Sequence, residues 1–239
     1  MLRFKRKNIS MIVCDMAGTI INERGIIYNI MESTLNDIGI YVTKEEKQNW
    51  GGRYKYSVFS HEIAKHTSDY NKQNLLLQKV ENIFPEKLNN MYFNEPNNIR
   101  LIHEELFDLF DVLRINGIKI ALNTGYPKEI QEKLIKKFNL HLHVDDYISS
   151  EDVKYGRPYP YMIHKLMERN YIINGNNVIK IGDTINDIKE GQNASCNLSI
   201  GVLSGSTSIT QFKSAGADLL YDSIMDIDID ILKENVFLL

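Results

Sequence analysis

Apolar runs rich in β-branched residues recur along the chain at ISMIVCD (residues 9–15), GIKIALNT (117–124), NVIKIGD (177–183) and CNLSIGV (196–202), with a weaker one at DYISS (146–150). Short runs that do not alternate with polar residues predict strands buried on both faces, as in a parallel sheet. Between them the period changes. Ile99, Ile102, Leu106, Leu109, Phe110 and Leu113 recur at steps of three and four, predicting an amphipathic helix that ends near Asn116 and Gly117. Strand and helix then alternate to the end of the chain, so the expected fold is α/β, with a parallel sheet flanked by helices. In such a sheet the binding crevice lies beyond the carboxyl ends of the strands.

Residues 22–96 break this rhythm. Met31, Leu35 and Ile38, and later Leu76, Val80, Ile83 and Phe84, keep a helical period with no strand-like run. The expectation is a helical unit spanning 22–96, inserted after the first strand into a core made of 1–21 and 97–239. Pro85 and Pro96 punctuate its second half, and FNEPNN (93–98) serves as the return linker. The tail DSIMDIDIDIL (222–232) is expected to pack as a last helix or strand.

Composition narrows the function classes. A chain of 239 residues, 43% hydrophobic and 25% charged, with a net charge of -3, has no basic surplus for gripping a nucleic-acid backbone. Cys14 and Cys196 belong to no CxxC pair, which argues against a disulfide framework or a zinc site and for a reducing, cytoplasmic setting. No window has the ~18 uninterrupted apolar residues of a membrane span, and no signal-peptide apolar region precedes the first strand. The basic run of Arg3, Lys5, Arg6 and Lys7 is expected to be a solvated arm.

Four polar clusters fall at the ends of predicted strands: DMAGT (15–19), NTGY (123–126), SEDVKYGRPYP (150–160) and GDTINDIKEG (182–191). Asp15 is placed to attack phosphorus, with the backbone N–H groups of Gly18 and Thr19 cupping an anion. Asp183 and Asp187 are one helical turn apart and can converge with Asp15 on a hard cation. Three clustered acids repel one another unless a cation joins them, and magnesium is the natural choice. Thr124 and Gly125 offer a hydroxyl and an N–H to a phosphoryl oxygen, and Arg157 a fixed positive fork. Together these groups predict a phosphoryl-transfer site. HLHVDD (141–146) resembles a metal cluster but is expected to be a surface loop, and Cys14 to be strand packing.

The clusters DMAGT, NTGY, GRPYP and GDTINDIKEG, followed by IGVLSGS, resemble the haloacid dehalogenase superfamily of aspartate-nucleophile hydrolases, in the branch of phosphonoacetaldehyde hydrolase and its phosphonatase-like relatives. The resemblance implies a Rossmann-like core with an inserted helical cap domain, and a dimer formed through that cap. It implies that Asp15 is the nucleophile and that the Ala17 carbonyl joins Asp15 and Asp183 around Mg2+, with Asp187 supporting them. It also implies that Thr124 and Arg157 hold the phosphoryl group and that Tyr126 contacts the substrate.

Ala17 stands where the superfamily's ordinary phosphatases carry a second aspartate, which protonates a departing alkoxide and later activates water. Alanine does neither, which argues against simple esters. A carbon leaving group needs an electron sink instead, and a lysine condensed with an aldehyde provides one. The resemblance places that lysine in the cap, at Lys55 of WGGRYKYSV. Gly51 and Gly52 would let the cap backbone approach the ligand, and Arg53 would lower the amine's pKa. Trp50, Tyr54 and Tyr56 line the pocket or pack the cap. Phosphonoacetaldehyde hydrolases carry a methionine four residues before the lysine and a histidine three after it; this chain has Gly51 and Val58, and His61 is not promoted in the histidine's place. The alternatives are a phosphatase of a small phosphorylated metabolite, a dehalogenase, or a silent binding domain.

Overall fold

A computed structural model describes residues 9–95, 98–205 and 207–227. The basic run at 3–7, Pro96 of the return linker and the tail beyond Ile227 lie outside the described residues. The elements in chain order begin with β1 (Met11–Asp15), β2 (Ile21–Asn22), α1 (Ile26–Asp37), α2 (Lys44–Gln48) and α3 (Lys55–His66). Next come α4 (Tyr70–Asn89), which runs into a π-helical turn (Asn90–Asn94), then β3 (Arg100–Leu101), α5 (Leu106–Ile115), β4 (Lys119–Thr124) and α6 (Lys128–Lys137). The last group is β5 (Asp146–Ser149), α7 (Tyr161–Arg169), β6 (Val178–Gly182), α8 (Ile185–Asn193), β7 (Leu198–Val202), α9 (Ile209–Ala215) and β8 (Leu219–Tyr221).

Six strands form one parallel sheet in the order β5-β4-β1-β6-β7-β8. β1 is buried along its whole length. Its Met11 and Val13 pack with Met162, Ile163 and Leu166 of α7, while Ile12 and Cys14 join the larger cluster that includes Leu106 and Phe110 of α5. Apolar cover on both faces is why the strands read as continuous apolar runs. The predicted Rossmann-like α/β core is therefore present. No helix among the described residues is long and apolar enough to cross a membrane.

Three elements differ from expectation. The helix expected from Ile99 begins at Leu106, because Arg100 and Leu101 pair antiparallel with Ile21 and Asn22 where the helical segment leaves and returns. It ends as predicted, with Gly117 at φ 79 and Ile118 N–H donating to Leu113 O at 3.1 Å. α4 runs through Pro85, since Leu76, Val80, Phe84 and Leu88 bury one continuous face whose packing outweighs the missing N–H donor. β8 was not predicted, and the tail's described part is a 3-10 turn, Ile224–Asp226, with Ile224 buried. α4 packs against α1 and α3, where Phe59 and Phe84 meet edge to face at 5.0 Å.

Candidate active site

The central position of β1 decides what gathers around its end. Asp15 lies in register with Asn123 of β4, and Gly182 of the neighbouring β6 leads into Asp183. The loop after Asp15 folds tightly on itself: Gly18 N–H donates to Ile21 O at 2.8 Å and Thr19 N–H to Met16 O at 3.4 Å. Those two N–H groups are spent on the loop, so the anion cup expected from Gly18 and Thr19 is not formed. Gly18 is required for a different reason. Its φ is 82, and a Cβ there would overlap the Asp183 carboxylate.

Arg157 is buried and commits its whole guanidinium to the protein. Nη1 pairs with Asp15 Oδ1 at 2.6 Å and reaches Gly52 O at 3.3 Å, Nη2 donates to the Asn123 carbonyl at 2.8 Å, and Nε donates to Glu190 Oε2 at 3.0 Å. The fork expected to grip a phosphoryl group is instead paired with Asp15 and closes over the turn at Gly52. Asp187 is also engaged. Its Oδ1 lies 2.8 Å from Lys180 Nζ and 3.2 Å from Arg157 Nε, and its Oδ2 accepts from the Thr184 hydroxyl. Asp187 therefore faces two cations and a hydroxyl and offers no free oxygen to a metal, as suits a supporting group.

Asp183 differs: its buried Oδ1 has no hydrogen bond and, unlike Asp187 Oδ1, no ion pair among the described residues. Burial, then the charges of Asp15 and Asp187, push its carboxyl well above the usual range. Burial also raises Asp15, against the opposing pull of Arg157. In Asp187, Arg157 and Lys180 outweigh burial and hold the carboxyl below its ordinary value. Around the site five buried acids (Asp15, Glu23, Asp183, Asp187, Glu190) face three buried bases (Lys55, Arg157, Lys180). An orphaned carboxylate oxygen and a surplus of negative charge are what a divalent cation on Asp15 and Asp183 would relieve. The Ala17 carbonyl suits the same cation, because the bonds joining residues 16–18 to Ile21 use Met16 O and Gly18 N and leave Ala17 O outside them.

The turn at residues 51–53 brings the helical segment onto these loops. Gly52 has φ 69, and a Cβ there would overlap the Thr184 hydroxyl; one on Gly125 would overlap the Arg53 carbonyl. Asn186 Nδ2 donates to Gly51 O at 2.6 Å, and Lys55 N–H to Gly125 O at 3.2 Å. Lys55 thus begins α3 in contact with the loop after β4, with only 5% of its surface exposed. Its amine sits 5.4 Å from the Tyr28 ring centre and 5.8 Å from that of Tyr126, with no ion pair or hydrogen bond to Nζ among the described residues. Burial lowers its pKa, Asp15 and Glu23 pull it back up, and Arg157 lowers it again. The cation beside the amine is Arg157, not the expected Arg53.

Thr124 is buried, and its hydroxyl oxygen accepts from Tyr126 N–H at 3.2 Å, leaving the hydroxyl proton free to donate. Trp50 and Tyr56 pack the helical segment, Trp50 donating to Glu62 at 3.1 Å and Tyr56 meeting Phe84 edge to face. Val58 is buried there too. A cleft of about 1430 Å³ between the helical segment and the sheet is lined by Arg53, Tyr54, His61, Lys154 and Lys189; it reaches Arg157 and Thr184 but not the buried Asp15 or Lys55. His143 stacks on Phe107 at 3.9 Å and Asp145 accepts from Ile120 N–H, so HLHVDD is structural. Burial pushes the Cys14 thiol up to about 12. Sequence reasoning missed Lys180, Glu190, Glu23, Tyr28 and Tyr92. A lysine inside the apolar run VIKIG was a visible signal, as was a glutamate three residues after Asp187, on the same helix face.

A family model described as haloacid dehalogenase-like hydrolase matches residues 12–200. The chain belongs to the haloacid dehalogenase-like hydrolases. Among curated proteins, phosphonoacetaldehyde hydrolase of Bacillus cereus strain B4264 is 40% identical over 98 residues, 41% of this chain and 37% of that protein. The protein of the same name from Bacillus anthracis gives the same figures. The matched stretch thus spans well under half the length of these relatives. Among solved structures, a phosphonoacetaldehyde hydrolase-like protein from Oleispira antarctica aligns at TM-score 0.76 with 22% identity, over 97% of this chain and 95% of that one. A hydrolase from Pseudomonas syringae aligns at TM-score 0.76 with 17% identity, over 94% of this chain and 100% of that one. These two likenesses show a shared fold. Membership places the chain in a family of hydrolases, in line with the enzyme expected from the motifs.

Proposed function

We propose that this hydrolase breaks the C–P bond of a small phosphonate that bears an aldehyde, by way of a phosphorylated Asp15 and an imine on Lys55. The observation that carries this is the buried, unpartnered Lys55 amine, placed against the loop of Thr124 and Tyr126, in a site whose position 17 holds alanine. The names of the curated relatives point to the same substrate class. Residues 22–96 act as a cap that shuts over the substrate and excludes water.

Magnesium, held by Asp15, Asp183 and the Ala17 carbonyl, would supply positive charge to offset that of the nucleophile and the phosphoryl oxygens. The rest falls to the chain. The neutral Lys55 amine condenses with the aldehyde, releasing water and leaving a protonated imine. Asp15 Oδ forms the bond to phosphorus as the C–P pair moves into that imine, giving an enamine and an aspartyl phosphate. Arg157 holds Asp15 in line, and the Thr124 hydroxyl donates to a phosphoryl oxygen. Water then releases phosphate, and the enamine returns through the imine to an aldehyde. No step asks position 17 for a proton.

The test is incubation with phosphonoacetaldehyde and Mg2+, with and without borohydride, reading phosphate release and the mass of the peptide that contains Lys55. Magnesium-dependent phosphate release with a reduced adduct on Lys55 is expected. Turnover of sugar or aryl phosphates with no adduct would refute the imine and favour a phosphatase.

A further inference from the structure

Beside Lys55 lies a buried chain of polar groups with no part in the steps above. Glu23, 4% exposed, accepts from the Tyr92 hydroxyl at 2.7 Å, and the Tyr92 hydroxyl lies 2.7 Å from that of Tyr126. The rings of the two tyrosines meet edge to face at 5.9 Å, and Tyr126 is one of the two rings flanking the Lys55 amine. The carboxylate decides the direction of the chain. Tyr92 spends its single proton on Glu23, so Tyr126 must donate to Tyr92, which leaves a lone pair on the Tyr126 oxygen able to accept. A proton entering at Tyr126 is thereby handed toward Glu23. Val58, buried among apolar residues of α3, supplies no titratable group where the resembled enzymes place a histidine.

We propose that Glu23 is the positioning residue that controls the charge of the Lys55 amine by its own negative charge and, through Tyr92 and Tyr126, stores the proton exchanged while the imine forms. Taking the imine chemistry above as given, the exchange balances. Lys55 ammonium gives a proton to the Glu23 carboxylate and becomes the amine that adds to the aldehyde carbon. The stored proton then returns to the carbinolamine hydroxyl, which leaves as water, and the nitrogen is left as a protonated imine. Burial raises the Glu23 carboxyl and lowers the Lys55 amine, bringing donor and acceptor closer together. The other titratable groups facing this pair are Asp15, Asp183, Arg157, Tyr28, Tyr92 and Tyr126.

Glu23 also accepts from Ile27 N–H at 2.8 Å at the start of α1, so a purely structural role has to be separated from this one. Glu23→Gln keeps an oxygen for that N–H and removes the charge; Tyr92→Phe keeps the charge and cuts the chain. Carbamylation of Lys55 by cyanate across pH, read by peptide mass, reports the amine without any substrate. Its midpoint is expected to fall by about one pH unit in E23Q, because an anion that favoured the ammonium is gone, and to stay in place in Y92F. Borohydride trapping of acetaldehyde on Lys55 is expected to slow by about 100-fold in both. An E23Q labelling profile that overlays the wild type, or wild-type trapping rates in Y92F, overturns the proposal. Phosphate release from phosphonoacetaldehyde by the wild-type protein is measured alongside: its absence with the E23Q shift present sinks the phosphonate assignment and leaves the Glu23 role standing.

Discussion

Lys180→Met isolates a heavily loaded buried charge. Lys180 has no solvent exposure, and its Nζ lies 2.8 Å from Asp187 Oδ1, 2.9 Å from Asn123 Oδ1 and 3.7 Å from Glu190 Oε2. Methionine matches the length and packing of the aliphatic stem, so the change removes charge and hydrogen bonds more than volume. Arg157 would then face Asp15, Asp187 and Glu190 alone. Removing one partner of a buried ionic cluster costs about 3–5 kcal/mol. At ~2–4 °C per kcal/mol for a chain of this size, Tm should fall by ~6–20 °C. Thermal unfolding followed by circular dichroism in EDTA measures it. Adding Glu190→Gln removes one of the negative charges that Lys180 offset, so K180M/E190Q should lie above the sum of the single losses by about 1–3 kcal/mol. A Tm for K180M within ~2 °C of wild type, or strict additivity in the double variant, would mean the cluster is solvated and unstrained.

Asp15→Asn should lower phosphate release by more than about 1000-fold while leaving circular dichroism unchanged; retained turnover would remove Asp15 as nucleophile. Mg2+ at ~100 times its Kd should add about 2.7 kcal/mol of stability, read as a rise in Tm that Asp183→Asn abolishes. Asp183 binds its proton more tightly folded than unfolded, so without metal its contribution is present below the ordinary aspartate range and is lost as pH rises through the raised folded value. Metal-free Tm should therefore decline across that window, and decline less in D183N. Gly52→Ala adds a Cβ at φ 69 against the Thr184 hydroxyl, and left-handed strain of ~1–2 kcal/mol should appear as a fall in kcat of about 5- to 30-fold. Wild-type kinetics in G52A would show that the 51–53 turn need not seat on the sheet for catalysis.

Local patterning alone was enough to locate the sheet and to bring Asp15, Thr124, Arg157 and Asp183 to one edge of it, because a strand buried on both faces is written as an unbroken apolar run and its polar end marks the crevice. The helical segment was legible for the same reason, since its period shifts and no strand run interrupts it. Local patterning did not say which polar group would meet which. The donors of Arg157 turned out to be spent on Asp15, Gly52, Asn123 and Glu190, and the N–H groups of Gly18 and Thr19 on their own loop. Lys180 entered the cluster from the middle of a strand, and Glu23 met Tyr92 from 69 residues away. Such pairings are set by strand order and by the seating of one segment on another. The energy of a buried charge depends on which neighbours surround it in space, and no spacing along the chain encodes that.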